Sequence, residues 1–298
     1  MVRLPEPSVE VSVTVELQTG TTVRRIMLGS QLRSLREAAG ISREDAGYTI
    51  RGSGSKISRM ELGRFSFKER DVLDLLTLYG VTDERERDAV LALAREANAP
   101  GWWHRYSDVL PSWFQVYIGL EGAATLIRSY DIQFVPGLLQ TPDYTRAVVR
   151  RAHPSMPDDE LERRVRLRMT RQQALTRPEP VRLWAVIDEG VLRRPLGGRE
   201  IMHGQLEHLV SCCKQPNITL QVMRFGGGYA PEGGAFSILR FAEPELPDVV
   251  YQEQLAGAMY LDKRSDVDLH LDALDRLCVD SEPPEATPSI LDQILRET

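Results

Sequence analysis

The sequence predicts two structural classes in one chain. An α-helical N-terminal unit of about five helices, built around a helix-turn-helix, precedes an α/β or α+β C-terminal region with one mixed sheet backed by helices. Three observations lead there. Residues 28–39 repeat apolar side chains at helical spacing and stop at Gly40. From residue 127 on, short strand-like apolar runs alternate with helix-length amphipathic segments. Between the two patterns, Asn98-Ala99-Pro100-Gly101 breaks the chain. The expected division is an N-terminal arm over 1–21, the helix-turn-helix unit over 22–98 and the C-terminal region over 99–298.

In the arm, Val9, Val11, Val13, Val15 and Leu17 alternate with polar residues. This is strand periodicity, and a lone strand needs a partner; the alternative is a disordered arm. Thr21 to Met27 leads into the first helix and carries Arg24 and Arg25. Leu28, Leu32, Leu35 and Ala39 form that helix's stripe. Ser42 caps a second short helix, Arg43 to Ile50, with Ala46 and Ile50 inward. Arg51-Gly52 is the turn. Ser53 caps a third helix, which ends at Gly63 in the left-handed conformation. Ile57 and Met60 face its core side, and Ser55, Lys56 and Arg59 share the exposed side. Lys68–Tyr79, with Val72, Leu73, Leu75, Leu76 and Leu78, and Asp83–Ala97 complete the unit.

A helix with short polar and cationic side chains at its exposed N-terminal end suits the major groove of DNA. Charge agrees. Eleven Lys/Arg face five Asp/Glu between residues 22 and 70, a balance of +6 within a chain of formal net charge −6. A basic module in an acidic protein is the electrostatic footprint of a polyanion partner. Ser53, Ser55, Lys56 and Arg59 are the expected groove residues. Gln31, Arg51 and Arg64 are assigned to phosphates. Arg59 has an alternative role, pairing with Glu61 to brace the helix. Residues 26–81 closely resemble Xre/Cro-type helix-turn-helix domains, above all in Lys56-Ile57-Ser58-Arg59-Met60-Glu61-Leu62-Gly63-Arg64. The departures are Gly47, where that family usually has a larger helix former, and the glycine-rich turn at Gly52 and Gly54. The resemblance implies double-stranded DNA as partner, and a homodimer is expected.

Beyond the break, three of the four Trp (102, 103 and 113) cluster with Tyr106 and Phe114. Packing at an interdomain hinge is the first expectation for them and ligand binding the second. Tyr117 to Ile127 reads as a helix carrying Glu121 among small residues, and Ile127 to Val135 as a strand. Pro136-Gly137 turns the chain, and Thr141-Pro142 starts a helix. Asp158–Leu175 is an Arg-rich helix. Val181–Ile187, Ile218–Phe225, Phe236–Phe241, Val249–Gln252 and Met259–Leu261 are strands. Arg199–Cys213, Asp266–Cys278 and Pro288–Leu295 are helices. The run Phe134-Val135-Pro136-Gly137-Leu138-Leu139-Gln140-Thr141-Pro142-Asp143-Tyr144 resembles the signature of the Scr1-type, antitoxin-like Xre regulators of actinobacteria. Arg168, Arg171-Gln172, Asp188-Glu189, Gln205-Leu206, Gly233-Gly234-Ala235-Phe236 and Glu253 match as well. That resemblance implies a regulator whose C-terminal domain senses a ligand, or neutralises a small partner protein encoded next to it.

An enzyme with a DNA-binding anchor is the remaining class, and no catalytic pattern supports it. Gly226-Gly227-Gly228 meets neither standard nucleotide motif. Asp188 and Glu189 are adjacent strand residues and point to opposite faces. No Gly-x-Ser-x-Gly elbow is present. Five His and three Cys show no metal-ligand spacing, so no metal and no cofactor is expected. No apolar run approaches the ~20 residues of a membrane span, and a cytoplasmic, nucleoid-associated protein is the expectation. In the C-terminal region Gln133, Gln140, Tyr144, Arg171, Gln172 and Glu253 are the candidate ligand- or partner-binding residues, because they are polar within apolar motifs. The alternative is that they are buried hydrogen-bonding groups that hold the fold.

Overall fold

The computed structural model describes residues 20–63, 65–226, 231, 233–243 and 246–297. The alternating segment at 9–17, Arg64, Gly227 and Gly228 lie outside the described residues. Five helices come first: α1 (Gly20–Ala38), α2 (Arg43–Thr49), α3 (Gly54–Glu61), α4 (Glu69–Leu78) and α5 (Glu84–Asn98). Leu28, Leu32, Ala46, Ile50, Ile57, Met60, Val72, Leu75 and Leu76 form their shared core. Ser42 and Ser53 cap α2 and α3 through their hydroxyls, accepting from Asp45 and Lys56 backbone N–H groups.

α1 starts earlier than its apolar stripe suggests. Its first half faces both domains: Leu28 joins the helical core and Arg25 donates to the Ala97 carbonyl of α5. Ile26 and Met27 pack against the core of the C-terminal domain, beside Trp113 and Phe114. A second surface therefore pays for the extra turns of helix.

The C-terminal domain contains α6 (Ser112–Ala123), β1 (Leu126–Asp131), α7 (Pro142–Ala152), α8 (Asp158–Gln172), β2 (Arg182–Asp188), α9 (Glu189–Arg193) and α10 (Arg199–Cys212). There follow β3 (Ile218–Met223), β4 (Phe236–Arg240), β5 (Val249–Gln254), β6 (Gly257–Leu261), α11 (Arg264–Asp280) and α12 (Thr287–Glu297). One mixed sheet runs in the order β3-β2-β1-β4-β5-β6. β1, β2 and β3 are parallel, and β4, β5 and β6 are antiparallel to their neighbours. Strand alternation sorts the faces. Ile127, Leu183, Ala185, Ile187 and Leu239 meet the larger helical layer, with Tyr144 of α7, Leu206 of α10 and Leu291 of α12. Tyr130, Val186, Ile238 and Val250 meet α11 through Leu274 and Leu277. The 3-10 turn Trp102–Tyr106 buries Trp103 and Tyr106 against Ile118 of α6 and Leu167 of α8, so these aromatics are packing residues.

Two boundaries differ from expectation. β1 ends at Asp131 and not at Val135, because the chain bends to put Val135 beneath α7, where its N–H donates to the Tyr144 hydroxyl. The helix expected at 117–127 runs over 112–123 instead, and its early turns place Phe114 against the Arg171 guanidinium.

Candidate nucleic-acid interface and C-terminal pocket

The exposed side of α3 is built from its caps outward. Ser53 is exposed and its hydroxyl accepts the Lys56 N–H at 3.3 Å. Ser55 and Arg59 are exposed, with Arg59 Nε donating to the Ser55 carbonyl at 3.4 Å and its guanidinium 5.4 Å from the Phe65 ring. Arg51 is exposed in the turn, with φ at 52°. Gln31 is half-buried on α1.

Lys56 requires a correction. Its ammonium does not project from α3; it lies 2.6 Å from Asp71 of α4 and 5.9 Å from the Phe65 ring. A half-buried carboxylate one helix away attracts it more closely than open solvent does. Arg59 does not pair with Glu61 either. Glu61 is buried and accepts from Arg36 Nε at 2.5 Å and Arg43 Nε at 3.0 Å. The hydrogen bond to Glu61 holds the Arg36 guanidinium above its ordinary pKa despite burial. This triad ties the last turn of α3 to α1 and α2. Sequence reasoning missed Arg36, although a signal existed: it continues the Leu28–Leu32 spacing at a position where an apolar residue belongs.

Two glycines set how closely these helices approach. A Cβ at Gly29 of α1 would lie 2.5 Å from the carbonyl oxygens of Met60 and Glu61. One at Gly47 would lie 2.5 Å from the Ser53 carbonyl carbon, so the departure at Gly47 makes room for the turn. α1 thus touches the C-terminal core through Ile26 and Met27 and the backbone of α3 through Gly29.

In the C-terminal domain, the predicted polar residues mostly hold the 135–141 segment. Gln140 is buried; its Nε2 donates to Val135 O at 2.7 Å, and its Oε1 accepts from Thr145 Oγ1 at 3.1 Å and Arg168 Nη1 at 2.6 Å. Gln172 Nε2 donates to the carbonyls of Gln140 and Gly137. Tyr144 accepts from Val135 N–H. Gln205, missed in the sequence, accepts from Thr141 N–H and donates to Leu139 O at 2.7 Å each. Gln133 is exposed, with its carbonyl accepting from Arg194. Glu253 is exposed and accepts from the Tyr251 hydroxyl. Arg171 forms a two-pronged pair with Glu121, at 2.7 and 2.6 Å, with both side chains buried.

A cavity of about 40 Å³ lies beside that pair. Its polar lining is Tyr117, Glu121, Ser129, Asp131, Arg171 and Ser237. Of the six predicted residues only Arg171 lines it, because backbone partners turn Gln140, Tyr144 and Gln172 away and Gln133 and Glu253 face outward. Burial pushes the Asp131 carboxyl up to about 7, against the opposing effect of the Ser129 hydroxyl bonded to it at 2.7 Å. The adjacent carboxylates Asp188 and Glu189 are both engaged elsewhere. Asp188 caps α9, and Glu189 is bound by Arg193 and Arg224. A larger, open depression of about 460 Å³ lies between Arg25, residues 66–69 and Asn98. Arg25 there donates to the Ala97 carbonyl, and Asn98 to that of Phe67.

No helix of the described residues is long and apolar enough to cross a membrane. Comparison with known proteins finds a helix-turn-helix domain over residues 27–90. A domain of unknown function, DUF5753, matches residues 114–293. No curated protein and no solved structure matches the chain. More than half of the chain falls within the second match, so the protein belongs to the DUF5753 family, and it carries that domain behind a helix-turn-helix domain.

Proposed function

We propose that the protein is a sequence-specific, DNA-binding transcription regulator that inserts the N-terminal end of α3 into the major groove. One observation carries the reading: α3 presents Ser53, Ser55 and Arg59 outward from a backbone held by Arg36 and Arg43 on the buried Glu61. Rigid presentation of a few polar side chains is what groove recognition needs. Arg51 and Gln31 flank that face toward the phosphates. Lys56 joins them only by leaving Asp71. The protein works as a homodimer in the cytoplasm, on the nucleoid, with no catalytic activity of its own.

The C-terminal domain acts as the sensor, of the Scr1 type. Supporting this is α1, a single helix that packs on the C-terminal core at one end and against α3 at Gly29. Whatever shifts α6 is felt at α1. A second reading, an antitoxin-type autoregulator that neutralises a neighbouring small protein, differs in the effector; the exposed Phe134 beside the buried 135–141 segment favours it.

The test begins with operator sequences selected from host DNA. Arg59→Ala should weaken operator binding and lower the slope of log affinity against log salt by about 0.9 per lost phosphate contact. Lys56→Ala should do the same only if the Asp71 pair opens on DNA. Unchanged affinity and slope in both variants would end the α3 reading. Co-purification from the host distinguishes a small-molecule effector from a protein one.

A further inference from the structure

The cavity beside Arg171 lies where the sheet changes direction. β1 has β2 parallel on one side and β4 antiparallel on the other. Ser129 of β1 is paired directly with Ser237 of β4, and Asp131 closes the carboxyl end of β1. Crevices at the carboxyl ends of parallel strands, beside a reversal in strand order, are the regular ligand positions of open α/β sheets.

The charges there do not balance. The titratable and charged groups facing the cavity are Tyr117 and Glu121 from α6, Arg171 from α8 and Asp131 from β1; β4 and residues 136–138 contribute none. Arg171 and Glu121 neutralise each other. Among the described residues Asp131 has no cation within 4.0 Å, and Ser129 is its one side-chain partner. The Ser237 hydroxyl has no hydrogen-bond partner among them. An ionised Asp131 is therefore a half-buried charge without a counter-charge, and a proton is what relieves it. A cation with N–H donors would relieve it better, because it would also satisfy the two serine oxygens. An anion would meet the Asp131 charge, and an apolar group would leave that charge uncompensated and the Ser237 hydroxyl without a partner. The volume, close to the roughly 30 Å³ of one water in the liquid, admits a head group and not a whole metabolite.

We infer that this cavity binds the ammonium head of a small primary amine, held by Asp131 with the Ser129 and Ser237 hydroxyls as further acceptors. The inference deepens the sensor reading and rests on it for its regulatory consequence, whereas binding itself is measured without DNA. Tyr117 and Glu121, which line the cavity, belong to α6, and α6 packs against α1.

The test uses the full-length protein with methylammonium chloride as probe and sodium chloride and potassium chloride at equal ionic strength as references. Calorimetric titration and thermal melting at pH 8 should show saturable binding of methylammonium. Apparent affinity should fall about tenfold at pH 6, where a group titrating near 7 is mostly protonated. Asp131→Asn should abolish the response, and Ser237→Ala should weaken it severalfold while leaving the melt in sodium chloride unchanged. If Asp131→Asn does not fold, the pH comparison on the parent and Ser237→Ala decide. A response equal to that of sodium chloride, an equal response in Asp131→Asn, or an equal response to potassium overturns the inference. Binding of the amine with no change in operator affinity would leave the site standing and remove the sensor reading. Release from the operator by other molecules, with no amine bound, would do the reverse.

Discussion

Glu61 and Glu121 are the same residue in the same predicament, each almost fully buried and each held by an arginine. Their surroundings differ by one guanidinium. Glu61 has two, Arg36 at 2.5 Å and Arg43 at 3.0 Å, and Arg43 is 41% exposed. Glu121 has Arg171 alone, with both side chains at or below 6% exposure. The helix-turn-helix side is therefore left with positive charge facing out at Arg43. The C-terminal side is balanced at Glu121 and left with a spare carboxyl at Asp131. One motif ties α3 to α1 and α2; the other walls a cavity beside the Asp131 carboxyl. Buried ion pairs often contribute little net stability, so their arrangement matters more than their number.

The difference can be broken most directly by removing one arginine from each. Arg171→Met strands Glu121 and should cost about 3–5 kcal/mol in urea melts. Arg36→Met leaves Arg43 on Glu61 and should cost only about 1–3 kcal/mol. Equal losses would mean that Arg43 does not share the load. Gly29→Ala tests the close approach of α1 to α3. Forcing a methyl against two carbonyl oxygens should destabilise by about 1–3 kcal/mol, and operator affinity should drop with it. Loss of stability with unchanged operator affinity would separate α1 from the recognition surface.

A smaller effect, of opposite sign, sharpens the C-terminal half of the comparison. Asp131 titrates at about 7 in the folded protein and near 3.9 unfolded. The folded state holds more protons across that window, so the residue's contribution to stability falls as pH rises from about 4 to about 7. Asp131→Asn should therefore melt several degrees above the parent at pH 8 and close to it at pH 4. A variant that melts lower at pH 8 would show that the carboxylate already has a counter-charge.

The helix-turn-helix was legible because its signals are local. Ser42, Ser53 and Gly63 act on residues three or four positions away, and apolar spacing at Ile57 and Met60 needs no knowledge of the partner. The sheet was legible for a similar reason, as short, nearly continuous apolar runs mark strands buried on both faces. The pocket was not. Asp131, Ser129 and Ser237 are unremarkable in sequence, and Glu121 reaches Arg171 across fifty positions. Gln140 and Gln172, which did attract notice, turned out to serve backbone groups that a bent segment leaves unpaired. Lys56 misled for the same reason, since Asp71 lies on another helix.

From its order of residues alone, this protein determined which segments become helix or strand, that a basic module precedes an acidic remainder, and which face of α3 is bare. Tertiary structure alone decided which charges cancel: Lys56 with Asp71, Glu61 with two arginines, Glu121 with one and, among the described residues, Asp131 with none. Capping and periodicity act over a few bonds, whereas a charge interacts through space and takes its partner from whatever the packed elements bring within reach.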